Sequence, residues 1–174
     1  MRALLPFAVL LAAPAIAQQG HNARAPIDFG ADQIQLQDRA NRAVLTGNVA
    51  VRQADMTLNA QRMTVAYTGQ VVGGNPQVSR LDASGGVTVR RPDQTARSRY
   101  AIYDLNRRVI TMLGAVSLTQ GANTINGGRL TINLDTGRAV IDGSSVAGGS
   151  GASGGSVQQR GGRVTGTFSV PDRD

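Results

Sequence analysis

The chain has 174 residues, enough for one domain of ordinary size, and no cysteine, which excludes a disulfide framework and any thiolate metal site. All 18 basic residues are Arg and all 11 acidic ones are Asp, for a formal net charge of +7. Such a surplus suits an anionic partner, and Arg forks onto phosphate; nucleic acid is disfavoured because the arginines are scattered and the aromatics number only six.

Residues 1–17 read as a secretory signal peptide. Arg2 supplies the positive start, Ala3 to Leu11 is an apolar run broken only by Pro6, and Ala15-Ile16-Ala17 is an Ala-x-Ala cleavage site before Gln18. The run falls short of the about 20 residues that span a bilayer. The expectation is export of a mature chain starting at Gln18. His21, the lone histidine, follows the cleavage site and is expected to be solvated in a flexible stretch.

Residues 18–146 carry an internal repeat. Thr46-Gly47-Asn48-Val49-Ala50-Val51 aligns with Ser84-Gly85-Gly86-Val87-Thr88-Val89 and with Leu113-Gly114-Ala115-Val116-Ser117-Leu118. Gly85, Gly114 and Gly143 are spaced by 29 residues; the step from Gly47 is nine residues longer. A second block starts 13 residues after each glycine, at Ala60, Ser98 and Gly127, with an earlier copy at Ala31. The extra nine residues fall in an extended loop over Thr68–Gln77.

Both blocks alternate with period two, which predicts strands. The apolar face of the first block holds Ala43, Leu45, Val49 and Val51, then Leu81, Ala83, Val87 and Val89, then Ile110, Met112, Val116 and Leu118. That of the second holds Met63, Val65 and Tyr67, then Ala101, Tyr103 and Leu105, then Leu130, Ile132 and Leu134. Turn signals lie at Asp38-Arg39-Ala40-Asn41, Leu105-Asn106-Arg107-Arg108 and Asp135-Thr136-Gly137-Arg138. One repeat cannot bury its apolar face alone, but stacked copies can. The predicted fold is all-β: an elongated, twisted β-jelly roll with an open edge strand at each end. Ile27, Ile34 and Leu36 mark the first edge; Ala139 and Ile141 mark the second. Residues 147–174 form a Gly/Ser-rich tail, read either as disordered or as a last strand over 163–170, with Val164, Phe168 and Val170, capping that edge.

The stretch Ala43-Val44-Leu45-Thr46-Gly47-Asn48-Val49-Ala50-Val51, with Met56 to Met63 after it, resembles the OstA-like domain family. Val109 to Gly121 and Leu130 to Gly137 resemble it as well. The resemblance implies a V-shaped β-jelly roll that holds lipopolysaccharide acyl chains inside, with sugars and phosphates outside. It implies location in the periplasm and head-to-tail stacking through edge strands. It also implies partners at both ends of a bridge, an inner-membrane-anchored component and an outer-membrane barrel. The lipid A acyl chains would meet the inward residues named above, from Leu45 to Leu134.

Periodicity alone serves a closed β-roll core just as well. A secreted structural or adhesive β-solenoid without lipid is therefore the alternative, and a sugar-cleaving β-helix with Asp and Arg pairs is a weaker one. The sequence gives no catalytic constellation; with one His and no Cys, no metal or cofactor is expected. Asp104 and Asp135 are expected to serve turns through hydrogen bonds to the backbone.

Overall fold

The structure is a computed structural model that describes residues 21–69, 74–143 and 165–167. The proposed signal peptide, Val164, Phe168, Val170 and most of the tail lie outside the described residues. Ten strands run in chain order: β1 (Ile27–Gly30), β2 (Gln33–Gln37), β3 (Arg42–Gln53), β4 (Met56–Thr68), β5 (Gln77–Arg91), β6 (Gln94–Asp104), β7 (Val109–Gln120), β8 (Asn123–Asn133), β9 (Ala139–Asp142) and β10 (Thr165–Thr167). A 3-10 turn, Asp38–Ala40, separates β2 from β3.

All ten belong to one antiparallel sheet. Strands β3 to β8 form a meander of consecutive hairpins. Two short strands finish each end. β1 pairs with residues 50–53 of β3 and β2 with residues 42–46. β9 pairs with residues 129–132 of β8 and β10 with residues 124–126. No further strand lies outside them among the described residues.

The repeated glycine explains this shape. The register shifts by bulges at Thr46/Val49, Ser84/Val87 and Leu113/Val116. At each bulge two successive residues adopt positive φ: Gly47-Asn48, Gly85-Gly86 and Gly114-Ala115. A bulge bends its strand and sharpens the local twist. Bulges aligned across neighbouring strands crease the whole sheet along one line. Each long strand therefore has two halves, and the halves fold onto each other.

Burial follows the crease. In β4, Met56, Leu58 and Ala60 are buried, then Gln61 and Arg62 are exposed, then Met63, Val65 and Tyr67 are buried. The inward phase switches at the crease, so both halves face one apolar cluster. The Tyr103 hydroxyl on β6 donates to Gln53 Oε1 on β3 at 2.7 Å. Those residues sit at opposite strand ends three strands apart, and they meet only because the sheet is folded.

Each repeat is one long hairpin. Its tight turns lie at Ala54-Asp55, Pro92-Asp93 and Gly121-Ala122, and Ala54 takes a left-handed φ of 49°.

Candidate functional site

The two ends of the roll differ. At the first, the chain passes from β1 to β2 over the crease: the Asp32 amide donates to the Gly47 carbonyl at 2.9 Å, and Asn48 Nδ2 donates to Asp32 Oδ2 at 2.9 Å. β1 thus lies on one half of the roll and β2 on the other. Phe29 stands opposite Val51, Ile34 opposite Leu45, and Leu36 opposite Ala43. Directly paired residues share a face of the sheet. Phe29, Ile34 and Leu36 therefore belong to the core face, yet they are 37%, 51% and 52% exposed. Between them opens a groove of about 190 Å³, floored by Leu45, Val65 and Tyr67 and walled by Pro76 and Val78. Its lining is apolar, and the Tyr67 hydroxyl is occupied as donor to Asp38 Oδ1 at 3.0 Å.

The second end is filled. Ile141 pairs with Leu130, and its methyl occupies the space that a Cβ on Gly127 would take. Among the described residues only Val140, on the outward phase of β9, is a large exposed apolar residue there. The roll is open at the β1/β2 end and packed at the β9 end.

The interior residues read from the sequence come together in one cluster. Leu45, Val49, Val51, Met63, Val65, Val87, Val89, Tyr103, Ile110, Met112, Val116, Leu118, Leu130, Ile132 and Leu134 are all buried. Of these, Leu45 and Val65 also line the groove, and the others pack against one another away from it. Among the edge residues, Ile34 and Leu36 line the groove, while Ile27 and Ile141 are partly buried against the core. Phe29, Pro76 and Val78 were not singled out in the sequence; the Ile27/Phe29 alternation was the signal for the first.

The outward faces carry the charge. Arg42, Arg52, Arg62, Arg97 and Arg99 are exposed. Arg80 pairs with Asp82 at 2.7 Å in solvent, where such a pair adds little stability. Asp104 accepts the Arg107 amide at 2.9 Å, as its turn position suggested. Asp135 does otherwise: it pairs with Arg108 at 3.3 Å, and Asn133 Oδ1 accepts the turn amides of Asp135 and Thr136. Among the described residues, no three of His, Cys, Asp or Glu gather as a metal site.

His21 departs most from its sequence reading. It is 6% exposed rather than solvated. Its Nδ1 lies 2.6 Å from Asp55 Oδ1, and this hydrogen bond holds the Asp55 carboxyl below its ordinary 3.8. Its Nε2 lies 3.4 Å from the Oε1 of Gln53, the same oxygen that Tyr103 binds.

Burial pushes the Tyr103 hydroxyl up from 10.0 to about 12. The fold thus favours its neutral form. The resulting stability is complete below pH 10 and is lost as pH rises towards about 12. Denaturant titrations across this range should show that loss in the parent chain, and Tyr103→Phe should flatten it. Equal slopes in both would contradict the burial of the hydroxyl.

Three comparisons bear on this geometry. The family profile described as "LptA/(LptD N-terminal domain) LPS transport protein" matches residues 29–138. An uncharacterized protein of Rhizobium meliloti is 35% identical over 121 residues, which cover 67% of this chain and 65% of that protein. The chain thus spans somewhat less than two thirds of that relative's length. The crystal structure of LptH from Pseudomonas aeruginosa is described as the LptA-homologous periplasmic component of the lipopolysaccharide transport device. It superposes with a TM-score of 0.67 at 16% identity, covering 86% of this chain and 99% of LptH, and so shares the jelly-roll fold.

Proposed function

Because the chain belongs to the LptA/LptD N-terminal-domain family of lipopolysaccharide transport proteins, we propose that it is a periplasmic carrier whose roll takes up lipopolysaccharide acyl chains at the β1/β2 end. The observation that carries this reading is the uncovered core face of Phe29, Ile34 and Leu36. It is apolar, open to solvent and continuous through Leu45 and Val65 with the interior cluster. Each methylene exposed to water costs about 0.8 kcal/mol, so one twelve-carbon chain represents roughly 10 kcal/mol gross. A soluble carrier must cover that surface. The groove offers the first contact, and the interior would have to part for a chain to lie deeper. Met63 and Met112, unbranched and adaptable, suit an interior that parts. The exposed arginines suit phosphates that stay outside.

The end strands support assembly. Among the described residues β2 and β9 lie outermost at the two ends, and an outermost strand can accept another. Head-to-tail copies, with an inner-membrane-anchored component before them and an outer-membrane barrel after them, fit this geometry. LptH, a periplasmic component, supports the periplasmic location.

Photo-crosslinking side chains test the lipid path. Placed at Leu36 and Val78 they should crosslink to lipopolysaccharide, and at outward Gln35 and Ser117 they should not. Equal yields at all four positions would reject the groove.

A further inference from the structure

The crease leaves the roll a second opening, the long seam between its two rows of turns. One lip carries the hairpin tips at Ala54-Asp55 and Pro92-Asp93; the other carries the end of β4, the start of β5 and the turn after Asp104. The segment from His21 to Pro26 reaches across this seam before it enters β1. It is bonded to Gln53 on one lip, and together with Val78 and Leu105 of the other it lines a cavity of about 430 Å³.

Its fastening is polar and concentrated on one side chain. Gln53 is 2% exposed, a single amide among apolar neighbours. Its Nε2 donates to the carbonyls of Ala23 and Ala25, both at 3.0 Å. Its Oε1 accepts from Tyr103, which belongs to the opposite half of the sheet. His21 closes the cluster against Asp55 on the hairpin tip. One amide therefore ties the segment, the near lip and the far half together.

The rest of the segment holds weakly. Its backbone hydrogen bonds are local, Ala23 to His21 at 3.0 Å and Ala25 to Asn22 at 3.1 Å, and it joins no strand ladder before Ile27. Ala23 is its apolar contact with the core, beside that cavity. Segments with few apolar contacts and no ladder open at lower free energy than the sheet they cover.

We propose that the His21–Pro26 segment is a releasable latch across the seam, with Gln53 as its clasp, and that its release admits acyl chains sideways into the roll. The second half of this statement rests on the lipid-carrier reading; the first does not.

The chain lacks cysteine, so single reporters are clean. Val51→Cys places a thiol on the inward face two residues from Gln53, and Val116→Cys places one beside the crease, away from the seam. Thiol labelling of the full mature chain should be slow at both sites. Adding Gln53→Ala, or His21→Ala as the milder variant, should speed labelling at residue 51 at least tenfold and leave residue 116 unchanged, with strand content intact by circular dichroism. Unchanged labelling at residue 51, or equal acceleration at both sites, would overturn the latch. Purified lipopolysaccharide supplies the second arm, and it should associate faster with Gln53→Ala than with the parent. Faster labelling without lipid binding in either chain would sink the carrier reading and leave the latch standing. Lipid association at equal rates in both chains would overturn sideways admission.

Discussion

Gly85→Ala is expected to cost about 2–3 kcal/mol of stability, whereas Gly86→Asn beside it should cost about 0.5 kcal/mol. Both glycines take positive φ at the same bulge, 84° and 76°. They differ in their surroundings. A Cβ on Gly85 would lie 2.7 Å from the Gln61 Cβ on β4, so the neighbouring strand must shift. A Cβ on Gly86 would meet nothing within 4 Å. The repeats already show the pattern: the first bulge position is Gly47, Gly85 or Gly114, while the second accepts Asn48 and Ala115. Asn visits the left-handed region at low cost, since its short side chain can bond locally. Urea unfolding of the two variants measures the difference. Equal losses would mean that backbone strain alone matters and that the close approach at the crease does not.

Leu36→Asp should weaken lipopolysaccharide binding at least tenfold while leaving the fold intact. Leu36 is half exposed on an edge strand, so a charge there stays solvated in the free protein and costs little stability. In the complex the carboxylate would have to lose water against an acyl chain, without a partner. A tenfold loss corresponds to about 1.4 kcal/mol, a modest part of what burying such a charge costs. Gln35→Asp, on the outward phase of the same strand, adds the same charge and should bind normally. Binding titrations decide the matter: equal weakening by both would point to general charge repulsion and against an apolar groove.

The fold was legible because its rules are local. Gly47, Gly85 and Gly114 mark the bulges, Gly143 instead follows the end of β9, and two-residue alternation marks the buried face from Leu45 to Leu134. The open groove was less legible. Phe29, Ile34 and Leu36 obey the same alternation as the buried residues, and they are exposed because the sheet ends there with nothing among the described residues packed over it. No sequence pattern records that. The latch residues were hidden for a different reason. Gln53 and Tyr103 are 50 residues apart, and His21 and Asp55 are 34 apart. A Gln at the end of a strand and a His near the start of a chain look like surface residues until folding closes the distance. Asp135 and Asn133 show the finer limit: either suits a turn, and the position of Arg108 places the carboxylate in an ion pair instead.

Lipid analysis of the protein purified from its source cells tests whether the roll carries lipopolysaccharide. Folded protein, extracted and examined by mass spectrometry, should yield an acylated, phosphorylated glycolipid, and Leu36→Asp prepared in parallel should yield much less. Folded parent protein that carries no such lipid, and takes up none from added lipopolysaccharide, would mean that the roll is not a lipopolysaccharide carrier.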